Sequence, residues 1–306
     1  MSKILVTGGA GFIGSNLVDE LMKRNHEISV IDDLSTGKKE NVNKRAKFFE
    51  ADITDKDALD KIFNEIKPEI IFHLAAQASV IVSAQDPVLD IKTNVIGTVN
   101  LLSLAKQFGA GKFIFSSTGG AIYGDDASRP TPENSEAKPI SPYGIDKLFG
   151  EKFIGYFTSE KLRTIILRYA NVYGPRQNPE GEAGIVAIFL GRMIKNTPVE
   201  IYGDGSHTRD FVYVGDVVEA NIKALESDVD GIFNIGTGQE TTVNDITKIL
   251  IGLTNSKSKI THVEYKAKEQ AHSCLDINKT KKHLGWKPQV SLKEGLSLTT
   301  KWFEEN

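Results

Sequence analysis

Little in these 306 residues lends itself to disulfide pairing, metal capture or electrostatic adhesion. Cysteine occurs once, at Cys274, which rules out an internal disulfide and suits a reducing cytosol. None of the six histidines forms a pair at metal-ligand spacing, and His272 with Cys274 is a lone His-x-Cys, read as loop packing. No metal is therefore expected. Lys and Arg total 37 against 40 Asp and Glu, a net charge of −3. That leaves no basic field to hold nucleic acid or an anionic membrane surface, so small-molecule partners are favoured. No uninterrupted apolar run reaches the ~18 residues of a membrane span. No targeting segment is visible before the first strand, so a cytoplasmic location is expected. A G-x-S-x-G elbow and a Walker-type loop are also missing. What remains is a hydrophobic content of 40%, enough for a full core in one large domain or two.

The strongest positive signal is at the start. Ile4-Leu5-Val6-Thr7 is an aliphatic strand that runs into Gly8-Gly9-Ala10-Gly11-Phe12-Ile13-Gly14. A helix then opens with Ile13, Leu17, Val18, Leu21 and Met22 on one face. Gly9, Gly11 and Gly14 fit G-x-G-x-x-G: a tight turn, close approach to a pyrophosphate, and close packing of helix on strand. The helix N-terminus adds unpaired N–H groups and a positive dipole end. A second strand, Ile28 to Ile31, ends at Asp32, 18 residues past Gly14, where an acid meets a ribose 2′-hydroxyl. A carboxylate there repels a 2′-phosphate, which favours NAD over NADP.

Apolar strands recur at 3–7, 28–31, 47–50, 70–74, 112–116 and 163–169, with helical patterns near 12–25, 55–66, 87–107 and 143–159. Such alternation indicates an α/β fold with a doubly wound parallel sheet, whose ligands bind at the carboxyl ends of the strands. Asp52, Leu74, Ala75, Ala76, Ser116 and Ser117 fall at or just past those ends. Residues 1–170 are thus read as the dinucleotide-binding domain, with later segments returning to it. Residues 171–306 are read mainly as a smaller α/β substrate lobe, with helices near 183–195, 215–226, 243–254 and 292–303.

Ser141-Pro142-Tyr143-Gly144-Ile145-Asp146-Lys147 carries the chemistry. Tyr143 and Lys147 stand four apart at a helix start and share a face. An ammonium beside a phenol is expected to lower the pKa of Tyr143 toward that of a general base. Upstream, Phe113-Ile114-Phe115-Ser116-Ser117-Thr118 ends in hydroxyls, of which Thr118 is placed to meet a substrate oxygen.

With these elements in register, the chain resembles the extended short-chain dehydrogenase/reductase family, with its Rossmann fold, and within it the nucleotide-sugar epimerases. The likeness runs through His73-Leu74-Ala75-Ala76-Gln77, Asn94-Val95-Ile96-Gly97-Thr98, Leu167-Arg168-Tyr169-Ala170-Asn171 and Arg209-Asp210-Phe211. It implies Tyr143 as base, Lys147 as its electrostatic partner and Thr118 as the catalytic hydroxyl. Around the cofactor it implies Gly8, Gly11, Phe12, Ile13, Gly14, Asp32, Asp33, Ser35, Thr36, Gly37, Asp52 and Ile53. Leu74, Ala75, Ala76, Asn94, Ser116 and Tyr169 join them, with Tyr143 and Lys147. Around the substrate it implies Ser83, Thr118, Tyr143, Asn171, Arg209, Lys266 and Ser273.

Two departures stand out. Thr118 to Tyr123 spans five residues where the family has four, with Gly119-Gly120 inserted, so Ser117 stays an alternative to Thr118. The family's C-terminal Arg-Pro-Gly segment reads Lys266-Ala267-Lys268-Glu269 here, followed by Asp276. Gly119 and Gly120 stand where sister dehydratases and decarboxylases carry acids, which argues for simple epimerisation at carbon 4. UDP-glucose and UDP-galactose are the expected pair, with a UDP-uronate or another nucleotide sugar as the alternative. Ser273, three before Asp276, is small and is expected to admit an N-acetyl group as well. A non-catalytic dinucleotide sensor is disfavoured by the retained tyrosine–lysine pair. A homodimer is the implied assembly, through the helices near 87–107 and 143–159.

Overall fold

The computed structural model describes residues 1–180, 184–264 and 270–306. Its centre is a seven-stranded sheet in which every neighbour pair is parallel. Six strands come in sequence order: Lys3–Thr7 (β1), Glu27–Asp32 (β2), Lys47–Glu50 (β3), Ile70–His73 (β4), Lys112–Thr118 (β5) and Arg163–Tyr169 (β6). The seventh, Gly231–Ile235, adds itself outside β6, giving the order Gly231–Ile235, β6, β5, β4, β1, β2, β3. The chain winds outward from β1 to β3 and then starts again at β4 on the other side of β1. This reversal opens a crevice at the carboxyl ends of β1 and β4, the place where such sheets bind ligands.

Period-two alternation builds two cores from one sheet. Ile4 and Val6 of β1 join one cluster and Leu5 the other; Ile114 of β5 opposes Phe113 and Phe115. Ile165 and Leu167 of β6 likewise oppose Ile166. Helices Phe12–Lys23 and Val214–Glu226 close the first face, while Lys56–Ile66, Gly97–Phe108 and Pro142–Phe157 close the second. Residues 214–235 therefore belong with the large sheet although they lie beyond residue 170. A third cluster, including Phe189, Leu190, Ile201, Phe211 and Leu250, is separate and gathers helices Ile185–Ile194, Val243–Thr254 and Leu292–Glu305.

One expected helix is interrupted. The apolar pattern near 87–107 forms Pro87–Ile91, a π-helical turn over Lys92–Ile96, and Gly97–Phe108. Helix Val80–Gln85, not expected from the sequence, precedes it. The Pro87–Phe108 stretch is long and apolar enough to cross a bilayer, by length and composition only. Its inner face, however, is in the protein core: Asp90, Asn94, Thr98, Leu101 and Leu102 are buried. The π turn sets Asn94 below the loop after β4 and so shapes the crevice.

Candidate active site

The turn after β1 is built for close approach. Gly8 has φ +71°, and a Cβ there would sit 2.6 Å from Ala75 N, in the loop after β4. A Cβ on Gly14 would lie 2.1 Å from the Gly8 carbonyl oxygen. Gly11 precedes helix Phe12–Lys23, which no side chain caps, so the N–H groups around Phe12 and Ile13 suit a ligand oxyanion. Asp32, at the end of β2, accepts from Ala10 N and Leu34 N, both at 2.9 Å. Burial raises its pKa while these backbone donors hold it down. Gly37 packs against it, since a Cβ would be 2.7 Å from Asp32 Oδ1. Asp33 takes both the N–H and the hydroxyl of Ser35, and Lys38 N returns to the Ala10 carbonyl. Ser35 and Thr36 are exposed on this loop. These cradles fit a dinucleotide with an unphosphorylated ribose: glycines where a backbone must be approached, and a carboxylate at the sugar position.

Asp52 and Ile53 follow β3. Asp52 caps its own turn through Thr54 N at 2.8 Å, and Ile53 is buried beneath Gly97. Leu74, Ala75 and Ala76 form the half-buried loop after β4. Asn94 fastens its continuation: its side chain accepts from Gln77 N at 3.0 Å and donates to the Gln77 carbonyl at 2.9 Å. Tyr169 is buried, and its hydroxyl bonds Asn221 and Ser116. His73, joined to Thr7 and Thr98, is pushed down to about 3 by burial and by Lys147, so it is a neutral core imidazole.

Ser141 caps helix Pro142–Phe157 by accepting from Gly144 N, with Pro142 opening the first turn. This start places Tyr143 over the end of β5, where the Thr118 hydroxyl hydrogen-bonds it. One turn on, Lys147 is buried and donates to the Ser116 carbonyl at 2.9 Å. Ser117 faces away. Its hydroxyl donates to Glu151 at 2.6 Å, inside a buried ion pair between Glu151 and Arg168. Successive strand residues point to opposite faces, so Thr118 alone of the two meets Tyr143.

The expected lowering of the Tyr143 pKa does not hold in this structure. Burial pushes the phenol well above its ordinary value, and the nearby Asp90 carboxylate raises it further. Lys147, whose ammonium lies 6.0 Å from the Tyr143 ring centre, is itself pulled down to about 8 by burial, against the charges of Asp90 and Glu151.

A cavity of about 540 Å³ opens in front of Thr118, Gly120, Tyr143 and Asn171 and extends to Arg192, Tyr202, His207, Arg209 and Gln270. Ligand pockets commonly run ~300–1,000 Å³. Asn171 Oδ1 and Ser273 Oγ are buried without a hydrogen-bond partner. A Cβ on Gly120 would lie 3.3 Å from the first and 4.0 Å from the second, so both oxygens close on one spot beside Thr118. Arg209 donates to the Thr208 and Ala271 carbonyls, which holds the guanidinium at the cavity wall. Ser83, expected at the substrate, is a correction: it is fully buried, turns its hydroxyl back to the Val80 carbonyl, and is absent from the cavity wall. Lys266 lies outside the described residues. Sequence reasoning missed Arg192 and Gln270, because neither stands in a spacing that marks chemistry. It passed over Asp90 as part of an apolar run.

Residues 4–236 match the NAD dependent epimerase/dehydratase family. A putative UDP-glucose 4-epimerase of Methanocaldococcus jannaschii is 44% identical over 304 residues, covering 99% of each chain. The crystal structure of a Thermotoga maritima UDP-glucose 4-epimerase with UDP-glucose is 50% identical, with TM-score 0.97 over 99% of this chain and 98% of that one. A Thermus thermophilus UDP-glucose 4-epimerase in complex with NAD is 43% identical, with TM-score 0.94 and 98% of both chains covered. By sequence along three quarters of its length, and by fold along nearly all of it, the chain belongs to the NAD dependent epimerase/dehydratase family.

Proposed function

We propose that the chain interconverts the carbon-4 epimers of a UDP-hexose, with UDP-glucose and UDP-galactose as the leading pair, through a transient 4-keto sugar. The observation that carries this reading is the Thr118–Tyr143–Lys147 set, whose Thr118 and Tyr143 line a cavity next to the strand-end glycines. Gly119 and Gly120 bring no acid to that wall, so elimination and decarboxylation lack a second proton carrier there, whereas a reversible alcohol oxidation needs only the one that Tyr143 supplies. The names of relatives at 44% and 50% identity support the UDP-hexose assignment.

When bound, NAD supplies a reversible hydride acceptor whose ring is positively charged in its oxidised form. Tyr143 accepts the proton of the sugar 4-hydroxyl and later returns it, after the keto ring has turned over. Thr118 holds that oxygen within reach of the phenol. Lys147 sets positive charge against Asp90, and so counters part of what keeps the proton on Tyr143. Arg209, with Arg192 on the wall of the same cavity, suits the diphosphate, since a guanidinium binds phosphate oxygens in pairs.

The test is product separation after incubation with single nucleotide sugars, without added NAD. UDP-glucose should give UDP-galactose, and an oxidised or dehydrated product would sink the reading. Ser273 is small and its hydroxyl faces Gly120, so the N-acetylhexosamine pair should turn over too. Ser273→Tyr should cut that second activity about tenfold or more while sparing the first, because rejection needs an actual clash.

Assembly as a homodimer belongs to the same proposal. Val88, Leu89, Ile91 and Ile96 are exposed on one helical stretch, and Ile145, Phe149, Phe153 and Tyr156 on the next. So much apolar surface on two packed neighbouring helices suits a self-complementary four-helix contact. Light scattering should return twice the chain mass, and a monomer at working concentration would remove the assembly from the proposal.

A further inference from the structure

Behind Tyr143 and Lys147 lie two carboxyl groups that neither give nor take a proton in the reaction. Asp90, on helix Pro87–Ile91, is 0% exposed, and Asp146, within the tyrosine–lysine turn, is 3% exposed. Their side chains hydrogen-bond one another. Asp90 Oδ1 is occupied by Gln77 Nε2 at 2.5 Å and Asn94 Nδ2 at 3.0 Å. Asp90 Oδ2 and Asp146 Oδ2, by contrast, are buried and receive no N–H or O–H donor. Two ionised carboxylates in contact there repel one another, while a carboxylic acid facing a carboxylate satisfies both oxygens.

We propose that Asp90 and Asp146 share a single proton and act as a positioning pair that fixes one negative charge behind Lys147 and Tyr143. This rests on the epimerase reading above and adds two positioning residues to it. The surroundings leave few other charges to do the same work. Helix Pro142–Phe157 contributes Tyr143, Lys147 and, beyond Lys147, Glu151, whose charge also acts on Lys147, less than that of Asp90, and is shared with Arg168. The π turn offers only Lys92, which is exposed, and helix Val80–Gln85 and the loop 74–79 offer none. Asp86, on the pair's own helix, is exposed and caps Leu89 N. On the sheet side, His73 is held neutral.

The sign of the effect follows from like-charge repulsion. Burial and the Asp90 charge raise the Asp146 carboxyl to about 7, so below that the pair is singly charged and above it the proton is lost. A second negative charge then favours the proton on Tyr143, which opposes its use as a base, and also favours the proton on Lys147. Asp146→Asn and Asp90→Asn each keep a donor–acceptor contact and exactly one carboxylate, so neither can gain the second charge. The double variant has no carboxylate and leaves Lys147 without that counter-charge.

Two measurements decide the matter, both on the NAD-bound protein. Infrared spectroscopy of the unaltered protein should show a protonated-carboxyl stretch that disappears around neutrality and is missing from either single variant. Absence of that band from the unaltered protein, or its persistence in both single variants, overturns the proposal whether or not nucleotide sugars are turned over. In kcat against pH, each single variant should lose the ionisation near neutrality with KM unchanged. The double variant should move the alkaline limb down by about one unit, the usual effect of removing a close opposite charge. Identical pH profiles in all four proteins overturn it as well, since a purely structural contact predicts that result. If the band behaves as stated but no sugar is epimerised, the pair stands and the functional reading fails.

Discussion

Tyr143→Phe should lower kcat by about three orders of magnitude, within the ~10²–10⁴-fold typical of removing a positioned acid–base group. Nucleotide-sugar binding and the bound NAD should be nearly unchanged, because only one hydroxyl is removed from a ring that keeps its place on helix Pro142–Phe157. The split is diagnostic: a loss in kcat with KM preserved marks an interaction made in the transition state. Thr118→Ala should fall between this variant and the unaltered protein, since the phenol keeps its proton-transfer role but loses the hydroxyl that hydrogen-bonds it. Ser117→Ala should leave kcat near its starting value, because Ser117 faces Glu151 and not the cavity. A larger loss from Ser117→Ala than from Thr118→Ala would reverse the assignment. A Tyr143→Phe variant that retains a tenth of the starting rate would remove Tyr143 from the role of base.

That Thr118–Ser117 choice shows where the sequence was legible and where it was not. The sheet could be read because alternation along β1, β5 and β6 leaves no other way to bury both faces. The glycine turn could be read because Gly8 and Gly14 admit no side chain at all: a Cβ would meet backbone at 2.6 Å and 2.1 Å. Seen from the strand, Ser117 keeps company with Phe113 and Phe115, and period two already separates it from Thr118. The inserted glycine hid this, because a spacing was being counted where a face decides.

Other features depended on groups distant in sequence. Asp90 looks like a stray polar residue in an apolar run until Asp146, 56 positions later, is packed against it. The phenol of Tyr143 was expected to be acidified by a lysine one turn away. In the folded protein burial dominates, and the neighbouring Asp90 charge adds to it. Ser83 was carried over by resemblance alone, and its place inside a helix absent from the sequence reading turned it from the cavity.

The second large effect belongs to stability. Arg168 and Glu151 are 4% and 5% exposed and meet in a two-pronged ion pair, Nε to Oε1 at 2.8 Å and Nη2 to Oε2 at 2.6 Å. The guanidinium also donates to the Tyr123 hydroxyl at 2.7 Å. Tyr123 in turn donates to Asn234, whose amide holds the Thr131 and Asp276 carbonyls. One cation therefore ties β6, helix Pro142–Phe157, strand Gly231–Ile235 and the segment carrying Ser273. Arg168→Met should cost about 3–5 kcal/mol, because it leaves Glu151 buried without its partner. For a chain of this size that is a fall in melting temperature of roughly 6–10 °C. Restoring neutrality with Arg168→Met and Glu151→Leu together should recover much of that loss, since two well-packed apolar groups carry no desolvation penalty. The double variant should not recover the catalytic pH profile, however, because Glu151 also holds the proton on Lys147, and its alkaline limb should move to lower pH. Calorimetry on the two variants, with kcat against pH on the double variant, separates the two roles. An unchanged melting temperature in Arg168→Met would mean that water reaches Glu151 and that the pair is not the tie described here.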